Sequence, residues 1–209
     1  MAGLPDDVRA IYEIHNFRHA EEILATSYPD ELSDLVDALL RFRLSKEDVL
    51  VSGGNESNIP KRFSSLLRPK GWLETRLEGD LVVRSTRKRA GEGETSLREE
   101  RIIKDYFDGH KIDFVKGRVA FDLEWNSKDQ TFDRDLYAFR SFHEAGVIDV
   151  AILLTRSAEM DSIFRELDIR TKYGASTTWM GKLLPRLNAG RNGGCPVLAL
   201  GITPRLMED

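Results

Sequence analysis

The chain has 209 residues, 41% of them apolar and 32% charged, which is the composition of one folded globular domain and excludes a disordered or fibrous chain. No apolar run approaches the ~20 residues of a membrane helix, the N-terminus MAGLPDDVRA carries no apolar leader, and the single Cys195 cannot form an internal disulfide. A reducing, cytoplasmic setting with no membrane partner is expected. The formal net charge of −4 hides an asymmetry. Residues 1–50 hold eleven acids against five bases, and residues 61–90 hold nine bases against three acids. A basic surface beside an acidic one is therefore within reach of the sequence, and so are two solvated faces with no partner.

In chain order, residues 8–14 alternate as a first strand. Residues 19–43 carry helical spacing through Ile23, Leu24, Leu32, Leu35, Val36, Leu39 and Leu40, with a restart at Pro29. Gly53-Gly54-Asn55 reads as a turn, and Pro60 to Leu67 as a short helix with a basic side. Residues 72–86 read as a hairpin turning at Glu78-Gly79-Asp80, and 87–96 as a polar loop. Ser96 and Glu99 stand at capping-box spacing, which predicts a helix from Ser96 to Phe107. Residues 111–125 read as a second hairpin. An amphipathic helix follows over 132–145 through Phe132, Leu136, Phe139 and Phe142. Residues 147–155 are apolar throughout, as in a central strand covered on both faces. Residues 158–167 are helical, 169–178 a polar loop, 179–188 a helix holding Pro185, and 196–203 a last apolar strand. The expected class is α/β, with a central mixed β-sheet flanked by helices, folded as a single domain over residues 1–209.

The segment Lys111 to Trp125, KIDFVKGRVAFDLEW, carries the chemistry. With Lys116-Gly117 as a two-residue loop, Asp113 stands opposite Ala120. Asp113, Ala120, Asp122 and Glu124 then share one face. Phe114, Val119, Phe121, Leu123 and Trp125 share the other, which is wholly apolar. Carboxylates gathered on one face repel one another, and a divalent cation with oxygen ligands, such as magnesium, resolves the conflict. Such a site fits a metal-dependent phosphodiesterase. A hairpin with one solvated acidic face accounts for the same residues. There is no Walker loop, GxSxG or GxGxxG. His15, His19, His110 and His143 have no metal-ligand spacing, and Cys195 reads as a buried small hydrophobe.

Ile112-Asp113, the hairpin and Asp122-x-Glu124 resemble the PD-(D/E)xK nuclease motif. KIDFVKGRVAFDLEWNSK as a whole resembles the catalytic hairpin of the BglII/BstYI-type type II restriction endonucleases. HAEEIL at 19–24, Gly71-Trp72 with Glu74-x-Arg76, the stretch 132–155 and PVLALGIT extend the resemblance along most of the chain. It implies a restriction-endonuclease-like core and a homodimer. The expected reaction is magnesium-dependent hydrolysis of both strands of double-stranded DNA at a short palindromic site with a GATC core, leaving 5′-phosphates. Asp113 would bridge the metal, Asp122 and the Leu123 carbonyl would add ligands, and Glu124 would stand in place of the motif's lysine to bind metal or activate water. Position 112 carries Ile where the motif has Pro. Glu99 and Glu100 are the candidate further acids from a preceding helix, and a capping role fits them as well.

For DNA contact the resemblance points to Asn126, Ser127 and Lys128, to Arg134 and Arg140 on the next helix, and to Lys172, Tyr173, Ser176, Thr177 and Thr178 in a second recognition loop. Lys61, Arg62, Lys88 and Arg89 are candidate phosphate contacts. Caps, turns and solvated charges explain the same residues. A structure-specific or repair nuclease on the same core and a non-catalytic DNA-binding protein remain alternatives.

Overall fold

The computed structural model describes residues 3–50, 58–88 and 96–208. Within them a six-stranded mixed sheet runs in the order β1-β6-β5-β4-β3-β2. Its strands are β1 (Tyr12–Phe17), β2 (Leu73–Lys88), β3 (Ser96–Lys116), β4 (Val119–Glu124), β5 (Val150–Arg156) and β6 (Val197–Ile202). β4, β5 and β6 are parallel neighbours, while β1 and β3 pair antiparallel at their flanks. The helices are α1 (Asp6–Ile11), α2 (Ala20–Ser27), α3 (Pro29–Arg41), α4 (Lys46–Leu50), α5 (Asn58–Leu67), α6 (Thr131–Glu144), α7 (Asp161–Glu166) and α8 (Met180–Asn188). Among the described residues no helix is long and apolar enough to cross a membrane.

β4, β5 and β6 are apolar nearly throughout because helices cover both faces. One face presents Val119, Phe121, Leu123, Ile152, Leu154, Leu198 and Leu200 to a core shared with Leu24, Leu35, Leu39, Phe63 and Phe164 from the helices. The other face carries smaller residues. Ala120 pairs with Ala151 and Leu153 with Ala199. α6 crosses this face with Phe132, Leu136, Phe139 and Phe142 buried, and Met180 of α8 approaches Gly201.

The chain divides into two compact units, Met1–Thr75 with Ile112–Asp209, and Arg76–Lys111. The second unit is where the sequence reading fails. Residues 73–88 form one continuous strand with no turn at Glu78-Gly79-Asp80, and 96–107 belong to β3 instead of a helix. Asp80 accepts from Lys104 Nζ at 2.6 Å and from the backbone N–H of Asp105 at 3.0 Å. Arg84 pairs with Glu100 and Arg87 with Glu99 across the strands. These cross-strand pairs, with β-branched and aromatic Ile102, Ile103, Tyr106 and Phe107, override the helical capping signal. Gly109 breaks the regular strand at φ +88°, and a Cβ there would strike the Arg76 guanidinium at 2.6 Å. His110 lies in β3 and pairs with Asp108.

Other boundaries shift less. Residues 8–11 end a helix, and the first strand begins at Tyr12. The restart at Pro29, the helix at Thr131–Glu144, and the strands at 150–156 and 197–202 follow the sequence reading closely. Cys195 is buried, and burial pushes its thiol up to about 12. The expected turn at Gly53-Gly54-Asn55, the loop at 89–95 with Arg89, and the Lys88 side chain lie outside the described residues.

Candidate active site

The β3–β4 hairpin builds the site. Phe114 stands opposite Phe121, Val115 opposite Ala120 and Lys116 opposite Val119. The turn is therefore Gly117-Arg118, with Gly117 at φ +54°, one residue later than the sequence reading had it. The change moves the partner of Asp113 from Ala120 to Asp122. It moves that partner by two residues, so the side chains keep their faces. Asp122 and Glu124 stay on the face covered by α6, and Phe121 and Leu123 stay in the opposite core. The backbone N–H of Asp113 donates to Asp122 Oδ1 at 3.1 Å.

Asp122 is buried, with 6% of its surface exposed. Burial pushes its carboxyl well above the carboxylate range, and the charges of Asp135 and Asp113 add to the rise. Glu124 is also raised by burial, against a hydrogen bond from Ser127 and the charge of Arg134. Thr155 of β5 donates to the Glu124 carbonyl at 2.7 Å and holds the end of β4 in line.

α6 supplies a fourth acid that the sequence reading did not single out. Asp135 is 4% exposed, and its Oδ2 is buried without a partner. Burial and the neighbouring Glu124 charge push Asp135 up to about 8 against the pull of Arg134. Arg134 donates to Asp135 Oδ1 at 3.0 Å and reaches Glu124 Oε1 at 3.5 Å. The signal was present in the sequence. Asp135 lies three residues after Phe132 and four before Phe139, inside the apolar stripe, where an unpaired acid is costly.

Among the described residues no group of three or more His, Cys, Asp or Glu side chains is spaced to hold a metal ion. The donor chemistry nevertheless fits a hard divalent cation. Asp113, Asp122, Glu124 and Asp135 offer only oxygen, two of them are buried, and Asp135 Oδ2 lacks any compensating donor.

Glu99 and Glu100 are not on a helix. They lie on β3 in the 76–111 unit, paired with Arg87 and Arg84, and more than half of each side chain is exposed. The two segments expected to contact DNA are joined to each other. Lys128 bridges to Thr177, Thr178 N–H donates to the Ser127 carbonyl at 2.8 Å, and Asp129 N–H to the Ser176 carbonyl at 2.9 Å. Ser127, Lys128 and Ser176 are exposed. Asn126 donates to the Lys172 carbonyl at 3.4 Å and keeps its Oδ1 buried without a partner. Arg134 is exposed at the acid cluster, and Arg140 is exposed and paired with Glu144.

Several candidates serve the fold. Tyr173 is buried, stacks on Phe164 at 3.9 Å and donates to the Val49 carbonyl at 2.8 Å. Lys172 Nζ donates to the same carbonyl at 3.0 Å. Thr178 is fully buried, and Thr177 accepts from Arg156. Arg62 bridges the Arg43 carbonyl and the buried Asp48, whereas Lys61 is exposed.

Comparison with known protein families matches residues 12–202 to the family described as Restriction endonuclease BglII/BglIII. A search of curated proteins finds no match.

Proposed function

The chain belongs to the BglII/BglIII restriction endonuclease family and is a type II site-specific deoxyribonuclease acting on double-stranded DNA; on that premise we propose that it cuts both strands of a short palindromic site in a magnesium-dependent reaction at Asp113, Asp122 and Glu124. The observation that carries this reading is the buried acid face of β4, held against Asp113 by a backbone hydrogen bond and lying beside the joined 126–129 and 174–178 segments.

Asp113, Asp122, the Leu123 carbonyl and Glu124 are the residues that would hold magnesium, with Asp135 close by. Bound there, magnesium supplies Lewis-acid stabilisation of phosphoryl charge and lowers the pKa of water. Glu124 stands where the superfamily motif has lysine, and its raised carboxyl suits taking a proton from the attacking water. Arg134 holds Glu124 and Asp135 from the solvent side and adds positive charge where a scissile phosphate would gain negative charge. Attack at phosphorus breaks the bond to the 3′-oxygen, leaving a 3′-hydroxyl and a 5′-phosphate.

Asn126, Ser127, Lys128 and Ser176 are the proposed base-reading and phosphate-gripping groups, because they are gathered beyond the C-terminal end of β4, where Ser127, Lys128 and Ser176 reach solvent beside the half-buried Asn126. A homodimer follows from the palindrome, since two-fold DNA symmetry is met by two copies of one site. The central GATC rests on the resemblance of the catalytic hairpin alone.

The test is digestion of unmethylated phage DNA with magnesium or with chelator, followed by sequencing of the fragment ends. Discrete, magnesium-dependent ends at one palindrome are expected. A smear of random ends would replace this reading with a non-specific or repair nuclease.

A further inference from the structure

Arg156 ends β5 as a buried cation. It is 5% exposed, and among the described residues it forms no ion pair. Its guanidinium packs against the rings of Phe164 and Tyr173 at 5.4 and 5.3 Å, and Nη2 donates to Thr177 Oγ1 and to the Tyr173 carbonyl at 3.4 Å. Nε is buried with no partner. A cation held this way costs several kcal/mol of lost hydration unless an anion joins it. Burial pulls its pKa down to about 10, so it stays charged at neutral pH.

Arg156 lines an open cavity of about 520 Å³ with Asp161, Arg170, Tyr173, Gly174 and Trp179. The one acid there, Asp161, is already engaged by Arg165 at 2.5 Å and Arg170 at 2.9 Å. The surplus charge of the cavity is positive. A planar guanidinium with free donors matches two oxygens of a tetrahedral oxyanion better than an ammonium does.

The position is also informative. Thr155, the preceding residue, stands level with Glu124 in the parallel register. Arg156 holds Thr177, which bridges to Lys128. The cavity therefore lies at the same strand ends as the acid site, on the opposite face of the sheet. We infer that this cavity is an oxyanion site with Arg156 as its fixed cation, and that it takes a backbone phosphate of bound duplex DNA. The inference rests on the endonuclease reading for its source of phosphate, but not for the cavity.

The test is equilibrium binding of a fluorescent random-sequence duplex by the full-length protein in chelator, repeated across a potassium chloride series. Each phosphate contact contributes about 0.9 to the slope of log affinity against log salt. Arg156→Gln is expected to lower the slope by about 0.9, and Arg156→Lys to keep it while weakening binding several-fold. An Arg156→Gln slope equal to wild type overturns the inference. If that variant does not fold, Ala175→Glu at the exposed rim of the cavity decides. It should give the same fall in slope, and no change overturns the site. Inorganic phosphate separates the sources. Saturable broadening of its ³¹P resonance by wild type, with the DNA slope unchanged in every variant, assigns the cavity to free phosphate and overturns the DNA contact. If wild type binds no DNA at all, the endonuclease reading fails, and the phosphate titration still judges the cavity.

Discussion

Asp113 and Asp122 are linked across the β3–β4 hairpin: the backbone N–H of Asp113 donates to Asp122 Oδ1 at 3.1 Å. One acid is thus oriented by the main chain of the other. The hydrogen bond opposes only part of the rise in the Asp122 carboxyl, which burial drives. The hairpin therefore stores unfavourable charge at the place where the proposed metal brings favourable charge.

Glu124→Gln keeps the size and one accepting oxygen but removes the proton acceptor. Single-turnover cleavage is expected to slow by about 10²-fold, in the range of a lost general base. Duplex binding in chelator should change less than about threefold, about half of the 1.4 kcal/mol that a tenfold change represents. An equal loss in binding would make Glu124 a DNA contact instead.

Burial and the Glu124 charge push the Asp135 carboxyl up to about 8, above its ordinary value of 3.8. A raised carboxyl favours the folded state most at low pH, and that advantage is lost as pH rises from about 4 through about 8. The metal-free protein should therefore lose stability across that window. Asp135→Asn should flatten the profile and be more stable at pH 8 by on the order of 2 kcal/mol. Added magnesium should raise the wild-type Tm at pH 8 more than that of the variant. Thermal melts across pH, with and without magnesium, check both.

Asp149 has the opposite sign. Two hydrogen bonds from Arg118, at 2.5 and 2.6 Å, and one from Tyr28 hold its carboxyl down to about 2. Its contribution is present above about pH 4 and disappears as pH falls to about 2. Because a third of the side chain is exposed, screening limits the effect. Asp149→Asn should cost about 1 kcal/mol at pH 7 and clearly less at pH 2. Denaturant midpoints at the two pH values measure the difference.

Tyr173→Phe removes the hydroxyl that donates to the Val49 carbonyl and leaves the stack on Phe164 intact. A stability loss of about 1 kcal/mol is expected, with duplex affinity changed less than by Arg156→Gln because the ring against Arg156 stays. Weaker binding at unchanged stability would make the hydroxyl itself a DNA contact.

The parts of the fold that the sequence makes legible are those governed by one periodic signal. The apolar runs of β5 and β6 and the stripe Phe132, Leu136, Phe139 on α6 need no knowledge of neighbours. The face shared by Asp113, Asp122 and Glu124 was readable because strand parity survives a shift of partner by two residues. The turn at 78–80 and the helix at 96–107 were misread because the structure there depends on pairs 16 and 24 residues apart, Arg84–Glu100 and Lys104–Asp80, while Ser96 and Glu99 mimic a local helix cap. Asp135 stands inside the apolar stripe of α6, where its position was a signal that the sequence reading passed over. Arg156 is an ordinary charged residue in sequence, and only burial without full compensation marks it out.

The central claim is that the acid face of β4 performs magnesium-dependent, site-specific cleavage. The most direct measurement is a side-by-side digestion of unmethylated phage DNA by wild type and Asp122→Asn in magnesium, with circular dichroism to show that both are folded. Discrete fragments from wild type and no detectable cleavage from the folded variant are expected. Discrete fragments from both proteins at similar rates would contradict it.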